Sequence, residues 1–569
     1  MPRSALSRVL DLSRVAALLL GSLSASVLGA QSAAPAAPAD LIVHNARIYT
    51  ADAARPVVDA FAVRGGRIVF VGDVAGARAL TGPRTQVVDA GGRTVIPGIT
   101  DAHAHVAGLG QAVRTVHLVG TTSYAEVIAR VVERARTTPR GEWITGRGWD
   151  QNDWPVTTFP MHEALSRAVP DHPVYLTRVD GHAALVNTKA MQLASLTRDA
   201  TDPPGGEIIR DSTGALTGVL IDNAQRLVGR VVPGQTRAQV KENIRAAIAE
   251  MHRYGLTGVH DAGSSATVLE LYEELGRENA LDIRLYAMIS DDARVVDAWF
   301  RRGPQNGLYN GMLWVRSVKL YQDGALGSRG AALLEPYSDM ASTSGLLVST
   351  PAHIEEVASR GLAAGFQINT HAIGDRGNRL VLDAYEAALR VRPTADHRFR
   401  VEHAQNLHSD DIPRFAALGV IPSMQASHQT SDMYWAGTRL GETRLRGAYA
   451  WRSLIATNVV IPNGSDAPVE SIDPLISFKS SVARQDARDW PVGGWFPEQL
   501  MTRDEALYSM TIWPAYAAFQ EQELGSITIG KRADFVVLDQ DIMRVPTELL
   551  SRTQVLSTWV GGKRVYERR

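Results

Sequence analysis

The stretch VIPGITDAHAHV, residues 95–106, places two histidines, His103 and His105, directly after an apolar run. Along a β-strand, side chains at positions i and i+2 point to the same face, so the two imidazoles would project together from Cα atoms roughly 6.6 Å apart. Asp101 shares that face. One metal ion could accept both rings, but two chance histidines in a polar loop would give the same sequence. The rest of the chain decides between these interpretations.

Seven more short apolar runs follow this one, and each ends in polar residues. They are GLTGVHDAG, IRLYAM, VRSVKLYQDG, FQINTHAIGD, FRVEHAQ, GVIPSMQ and VVIPNGSDAP. Stretches with apolar residues at helical spacing, such as IEEVASRGLAAG and RGNRLVLDAYEAALRV, lie between them. A closed barrel of parallel strands alternating with helices has eight of each. The sequence therefore predicts an α/β protein with a (β/α)8 TIM barrel over residues 97–524.

The two ends of the chain have a different, β-rich character. Short apolar runs separated by turns such as RGGR, AGGR and IGKR occupy residues 41–96 and 525–569. Glycine-containing turns between such runs are typical of antiparallel strands. We expect the two ends to form one small composite β-sandwich domain, with the barrel inserted between them.

The connection after the first predicted barrel strand is too long for a simple loop. More than a hundred residues separate ITDAHAH from GLTGVHDAG. A connection of that size is normally a subdomain or a lid. Because it leaves the strand end that carries His103 and His105, residues 110–235 are predicted to form an inserted lid or substrate subdomain over the barrel mouth.

The first thirty residues differ from all that follow. Arg3, Arg8 and Arg14 precede the apolar segment VAALLLGSLSASVLGA. This order is typical of a secretory signal peptide, predicted over residues 1–30 and followed by an Ala/Pro-rich linker at 31–40. The alternative is an uncleaved anchor, although the apolar segment is short for a membrane span. We expect a periplasmic or secreted protein with no stable membrane insertion after cleavage.

The composition limits both partners and chemistry. Lys and Arg number 59 against 60 Asp and Glu, a formal net charge of −1. This balance argues against a nucleic-acid partner and leaves a small-molecule substrate as the default. The chain has no cysteine, which excludes disulfides and thiolate metal sites. Histidine, carboxylate or a modified lysine are the metal ligands that remain.

Residues that can carry chemistry stand at the predicted strand ends. They are His103, His105, Lys319, His371, His403 and Asp466. The carboxyl ends of the strands of a (β/α)8 barrel meet at one face, so these side chains should converge. His103 and His105 with a carboxylate could hold one cation, and His371 with His403 could hold a second.

Lys319 cannot bind a cation in its usual state. An ammonium group has three hydrogen-bond donors and no lone pair, whereas paired cations need a bridging anion. Lys319 is therefore either a structural cation, for example the ion-pair partner of Asp323, or a chemically modified ligand.

The motifs VIPGITDAHAH, SVKLYQDGALGS, INTHAIGD, RVEHAQ and IPNGSDAPVE, in this order, resemble those of the amidohydrolase superfamily. Within it the chain is similar to the family 3 branch that includes N-substituted formamide deformylase. The resemblance implies two divalent metal ions, with zinc the expected metal, and a carboxylated Lys319 that bridges them. It also implies His103, His105 and Asp466 as ligands of one metal, and His371 and His403 of the other.

The same resemblance implies substrate contacts in the inserted segment and at the barrel mouth. The RVDGH and GWD segments are similar to lid motifs of the branch, which makes His182 and Trp149 candidates for substrate binding. His428 is a third candidate. The alternative for Trp149, with its neighbours Trp143 and Trp154, is a place in the core of the subdomain. Self-association as a homo-oligomer is a further expectation from the superfamily.

These observations predict a metal-dependent hydrolase of a non-peptide C–N bond, in an amide, N-acyl or N-formyl amine. The expected nucleophile is a metal-bound hydroxide, with Asp466 as the general base that later protonates the departing amine. A deaminase or a lactone or ester hydrolase on the same scaffold is the nearest alternative. A catalytically inactive, secreted binding protein is the alternative from another class.

Overall fold

The computed structural model describes residues 37–179, 183–203, 206–327 and 329–569. Its centre is a barrel of parallel strands in which neighbours along the chain are hydrogen-bonded. The seven strands are Ile99–Ala104, Leu256–Ser264, Arg284–Ser290, Leu313–Tyr321, Gln367–Ala372, Arg400–His403 and Ile421–Ser423. A short strand, Gln305–Gly307, pairs antiparallel with the fourth. The predicted barrel fold is confirmed.

The eighth position in the barrel is filled by an irregular segment instead of the predicted strand. The Met424 amide donates to the Pro462 carbonyl (3.0 Å), and on the other side the Ala102 amide donates to Asn463 (3.1 Å). Pro462 has no N–H to give to a ladder, and Asp466 has a left-handed φ of 58°, so regular pairing is not continued. The segment 462–467 thus closes the barrel without forming a regular strand.

Helices surround the barrel. They are Val106–Arg114, Arg237–Arg253, Ala266–Arg277, Ala293–Arg302, Leu308–Gly311, Pro351–Ala364, Asp375–Val391, Ile412–Leu418, Ala426–Asp432, Ala436–Leu445, Trp451–Ile455, Pro474–Ala483, Arg503–Ser509, Ile512–Ala517 and Thr547–Leu550, with a 3-10 turn at Pro497–Gln499. The helix Arg237–Arg253 begins with a capping box between Thr236 and Gln239. It buries Ile244, Ile248 and Met251 against the barrel. Apolar burial of this kind is the main stabilising term of the fold.

The chain ends form two further sheets. One contains the strands Leu41–His44, Ala60–Arg64, Arg67–Gly72 and Gln86–Asp89. The short helix Val74–Arg78 lies in the connection between the last two of these strands. The other contains Arg47–Tyr49, Val57–Val58, Thr94–Pro97, Phe535–Leu538, Val555–Val560 and Lys563–Glu567. Thr94–Pro97 pairs antiparallel with Phe535–Leu538, so both ends of the chain build one sheet. Phe61, Phe535 and Trp559 pack between the sheets, with ring centroids 5.1 Å apart in each contact.

The segment after the first barrel strand has a sheet of its own. Its strands are Val116–His117, Ile144–Trp149, Val174–Arg178, Ala183–Val186, Gly206–Arg210 and Leu216–Asp222. Its helices are Tyr124–Ala135, His162–Ala168, Thr188–Leu193 and Arg226–Gly229, with 3-10 turns at Gln151–Asp153 and Asn223–Gln225. Leu118, Val131 and Leu176 lie in a separate apolar core. The segment is therefore a folded unit, which we call the inserted unit, and its role as a lid stays a prediction.

The predicted signal peptide and most of the predicted linker lie outside the described residues. Within the part of the chain that is described, no helix combines the length and the apolar character needed to cross a bilayer.

Candidate metal centre

The structure brings the six predicted site residues to one end of the barrel. His103 lies in the first strand, Lys319 in the fourth, His371 in the fifth and His403 at the end of the sixth. His105 follows the first strand, and Asp466 lies in the segment that closes the barrel. The six side chains thus come from the carboxyl ends of five barrel positions, with His103 and His105 both at the first, and barrel enzymes place their functional groups at these ends.

The distances at the centre of this cluster are short. His105 Nε2 lies 3.0 Å and His103 Nε2 3.5 Å from the same oxygen, Asp466 Oδ1. Lys319 Nζ lies 3.4 Å from His103 Nε2. The ring of His403 lies 4.8 Å from that of His103 and 4.5 Å from that of His371, measured between centroids.

Two sets of three donor atoms could each hold a metal ion. In one set His103, His105 and Asp466 place their donor atoms within 4.8 Å of one another, and in the other His403, His428 and Asp466 do. Asp466 belongs to both sets, so its carboxylate could bridge two cations. His371 belongs to neither set, and its Nε2 lies 3.6 Å from Asp323 Oδ1.

The three predicted substrate contacts have different outcomes. His428 does lie in the site: its Nε2 is 3.7 Å from Asp466 Oδ2, and its ring stacks on that of His403 at 5.9 Å. Trp149 is not brought to the site. It is wholly buried in the core of the inserted unit, and its indole N–H donates to the Leu176 carbonyl at 2.8 Å. His182 lies outside the described residues.

Trp149 is therefore corrected from a substrate contact to a core residue. Its ring packs against those of Trp154 and Phe159, at centroid distances of 6.2 and 6.4 Å. A tryptophan with no exposed surface and a satisfied N–H gains its stability from burial. It has no free face to offer a ligand.

A buried carboxylate orients His103. The Nδ1 of His103 lies 2.5 Å from Glu402 Oε2, and Glu402 in turn pairs with Arg400, whose Nε is 2.7 Å from Oε1. Since a carboxylate accepts the hydrogen bond, Nδ1 carries the proton and Nε2 keeps its lone pair for a cation. Sequence reasoning missed Arg400 and Glu402. The available signal was two charged residues at i and i+2 in a buried strand, RVEH.

Other buried side chains hold the remaining histidines. His403 Nδ1 lies 2.6 Å from Gln425 Oε1. Asp323 accepts backbone N–H groups of Ala332, Ile373 and Gly374 at 2.8 to 2.9 Å, which fixes it below His371. Among the described residues no ion pair joins Lys319 to Asp323, and the choice between a structural cation and a modified ligand stays a prediction.

Burial sets the charge states of the site. It lowers the pKa of His103 to about 4 and that of His371 to about 3, with the nearby Lys319 charge acting in the same direction. Neutral imidazoles are the form that binds metals. Burial also lowers the pKa of Lys319 to about 8. For Asp466, burial raises the pKa, but the hydrogen bond from His105 and the charges of His103 and His403 outweigh it, so the pKa lies well below the usual value.

The backbone is strained at two of these residues. His403 has a φ of 74°, its neighbour Ala404 one of 43°, and Asp466 one of 58°. Left-handed conformations of non-glycine residues cost about 1 to 3 kcal/mol each and cluster at functional sites. Here they occur where the chain leaves the strand and must turn a side chain into the barrel mouth.

Comparisons with known proteins agree with this geometry. Residues 86–566 match the sequence profile of the amidohydrolase family. The chain is 34% identical to the protein LONG AFTER FAR-RED 3 of Arabidopsis thaliana, over 93% of this chain and 92% of that protein. It is 29% identical to the N-substituted formamide deformylase of Arthrobacter pascens, over 93% of this chain and 98% of the other.

A solved structure supports the same assignment. The crystal structure of an uncharacterized metal-dependent hydrolase from Pyrococcus furiosus superposes with a TM-score of 0.72 at 29% identity, covering 89% of this chain and all of that one. The family match spans the barrel, the inserted unit, most of the C-terminal β-rich end and residues 86–96 of the N-terminal one. From the metal-binding geometry, the profile and these relatives together, the chain belongs to the amidohydrolase family.

Proposed function

We propose that this metal-dependent amidohydrolase cleaves a non-peptide C–N bond, in an amide, N-acyl or N-formyl amine. The observation that carries the proposal is the position of Asp466, which two sets of donor atoms share at the barrel mouth. The extended similarity to an N-substituted formamide deformylase favours this bond among those that the scaffold can cleave. Similarity to adenine deaminases covers only 13% of the chain, which gives the deaminase alternative less support.

The donor chemistry fits two divalent cations. We assign His103, His105 and Asp466 to one cation, and His371 and His403 to the other, with His428 within reach of the second. Neutral imidazoles and a carboxylate are ligands that zinc accepts, and zinc is the proposed metal. The carboxylates Glu402 and Asp323, next to His103 and His371, are the kind of outer partner that metal-bound histidines have.

Lys319 completes this assignment if it is carboxylated. Its neutral amine would add to carbon dioxide, forming an N–C bond and releasing one proton, and the product carries two carboxylate oxygens. The side chain is 1% exposed, and its Nζ lies 3.4 Å from the metal-facing nitrogen of His103. A carboxylated Lys319 therefore supplies the bridging anion that an ammonium group cannot supply.

The reaction follows from the positions of the side chains. Bound divalent cations lower the pKa of water and polarise a carbonyl group. Asp466 accepts a proton from the attacking water, whose oxygen bonds to the carbonyl carbon. The C–N bond then breaks, and Asp466 returns the proton to the departing nitrogen. When His428 does not bind the second cation, its Nε2, 3.7 Å from Asp466 Oδ2, faces the same space and can donate to the developing oxyanion.

Export and self-association stay predictions. The periplasmic or secreted location rests on residues 1–30, which lie outside the described residues.

The test measures metal content and hydrolysis on the same preparation. Purified protein should contain close to two equivalents of zinc, and it should hydrolyse members of a panel of N-formyl amines and N-acyl amines. Removal of the metal by a chelator should abolish turnover, and added zinc should restore it. Turnover confined to aminopyrimidines or lactones would favour the alternative hydrolases. A protein that binds panel compounds without hydrolysing them, although loaded with zinc, would be the binding protein instead.

A further inference from the structure

A groove runs along the helix Val106–Arg114, on the side that faces the inserted unit. It consists of three adjoining cavities of about 480, 890 and 440 Å³, all of which Gln111 borders. The largest of the three cavities is lined largely by polar side chains, such as Thr145, Gln235 and Gln239. A polar, open groove of this size suits an extended, hydrophilic ligand.

The inner end of the groove is bordered by residues that flank the candidate metal centre. The cavity of about 480 Å³ is bordered by Gly108 and Pro468. A Cβ atom added to Gly108 would lie 3.5 Å from His105 Cβ and 3.5 Å from Pro468 Cδ. Pro468 follows Asp466 by two residues, and the His105 side chain is 34% exposed. A molecule with its reactive end beside His105 can therefore extend into the groove.

The outer part of the groove carries positive charge. Arg114 and Arg134 border the cavity of about 890 Å³, and Arg147 borders the one of about 480 Å³. Arg134 donates to the Arg114 carbonyl, which holds its guanidinium at the end of the helix. Among the described residues, no carboxylate lies within 4.0 Å of these three guanidinium groups.

The other charged residues of the groove do not cancel this excess. Glu142 also borders the largest cavity, but it is one carboxylate against the two arginines there. Arg237 borders the third cavity and is already paired with Glu270 and Glu274, both at 2.8 Å. The groove therefore presents a net positive surface with free donors, which suits a carboxylate.

We propose that this groove binds a carboxylate carried by the substrate itself, remote from the bond that is hydrolysed. The inference rests on the proposed function and names its substrate class: ω-(acylamino)carboxylic acids. Gly108 and Arg114 are six residues apart on one helix, which corresponds to roughly 9 Å. An acyl amine of about that length places its amide at the metal centre and its carboxylate beside Arg114 and Arg134.

The experiment compares matched substrates on the zinc-loaded full-length mature protein. Each ω-(formylamino)alkanoic acid is paired with its own primary amide, in a series of increasing chain length. We expect kcat/KM to favour the acid by about tenfold at an intermediate length, since one charge-assisted contact is worth about that much. The preference should shrink with added salt, because an open groove is screened.

Variants locate the preference in the groove. The double variant Arg114→Gln/Arg134→Gln should lower the ratio of acid to amide kcat/KM about tenfold. Arg136→Gln removes one positive charge from the residue that follows the helix of Arg134, where Arg136 pairs with Glu133, and it should leave the ratio unchanged. If the double variant does not fold, Arg147→Gln tests the adjoining cavity of about 480 Å³ from the strand Ile144–Trp149, with a smaller expected loss.

The outcomes separate the inference from the proposed function. Equal kcat/KM for acid and amide at every chain length overturns the inference while the proposed function stands. An acid preference that survives the groove variants also overturns it, because the carboxylate then binds elsewhere. Failure of the zinc-loaded protein to hydrolyse any N-formyl or N-acyl amine overturns both.

Discussion

Two buried arginine–carboxylate pairs lie at opposite ends of the barrel and serve different purposes. At the amino-terminal end, Arg284 Nη2 lies 2.8 Å from Asp534 Oδ1, and Asp534 also accepts the Gly561 N–H at 2.7 Å. At the carboxyl end, Arg400 pairs with Glu402. Both pairs are nearly inaccessible to solvent.

The difference lies in the third partner. Asp534 accepts its further hydrogen bond from a backbone N–H group, that of Gly561. It therefore connects the end sheets to the barrel strand that begins at Arg284. Glu402 accepts its further hydrogen bond from the side chain of His103, a candidate metal ligand. The same pair of residue types thus stabilises the fold at one end and orients a functional group at the other. Each of the following predictions tests that division.

Asp466→Asn should have the largest effect. The amide cannot accept the proton from water and is a poorer metal ligand, so kcat should fall by about three orders of magnitude or more. Thermal unfolding of the metal-free proteins should differ little, because the neighbouring backbone hydrogen bonds are kept. Normal turnover of substrate by this variant would show that Asp466 is not the base.

Asp534→Asn should destabilise the fold by about 3 to 5 kcal/mol, because it leaves the buried Arg284 without its counter-charge. Denaturant unfolding measures this loss, and chelator competition should show unchanged zinc affinity. The double variant Arg284→Met/Asp534→Leu should recover much of the stability, since it removes both charges. A fall in zinc affinity in the single variant would contradict the division between the two ends.

Glu402→Gln should weaken zinc binding by about 10-fold to 100-fold, the usual effect of losing an outer carboxylate. The carboxamide oxygen still accepts from His103 Nδ1, but without the charge that strengthens the bond. Chelator competition on the variant, with Asp534→Asn as the matched control, separates ligand orientation from general destabilisation. Unchanged affinity would reduce Glu402 to a structural role.

The smallest expected effect concerns a second lysine with a shifted pKa. Burial lowers the pKa of Lys531, in the bend before the strand Phe535–Leu538, to about 8, whereas the unfolded value is near 10.5. Between these values the unfolded state binds more protons, so stability should rise as pH increases from about 8 to 10. Screening at this partly exposed site reduces the gain to about 1 kcal/mol.

Lys531→Met should flatten that rise, which unfolding by urea at several pH values would show. Lys319, whose pKa burial also lowers to about 8, is the contrasting case. The variant Lys319→Met should lower the amount of bound zinc and should lack the added mass of a carboxylated lysine. An equal pH dependence in the wild type and in Lys531→Met would rule out Lys531 as the source.

Much of the fold could be predicted because strand ends are marked by polar residues after apolar runs. His103, His371 and His403 were located in this way from the sequence, and the structure places them in one cluster. The eighth strand was predicted from the same pattern, but Pro462 and the turned backbone at Asp466 prevent regular pairing there. Local apolar pattern does not reveal which backbone groups find partners.

The rest of the site depended on tertiary contacts that no local pattern encodes. Trp149 and His428 both follow polar motifs, yet one faces the core of the inserted unit and the other faces Asp466. Their orientation is set by the packing of segments distant in sequence. For Arg400 and Glu402, two charged residues in a buried strand indicate that each has a buried partner. The sequence does not indicate which residues those partners are.

The closing segment of the barrel has a consequence for how the reaction could be altered. Asp466 is carried by an irregular stretch that is held by individual hydrogen bonds instead of a regular ladder, among them the bond from Ser465 Oγ to Asp101 Oδ2 at 2.6 Å. Replacing Ser465 or Asp101 would shift the proposed proton acceptor by small distances while the seven regular strands remain paired. New specificities can therefore be sought in this stretch without rebuilding the scaffold.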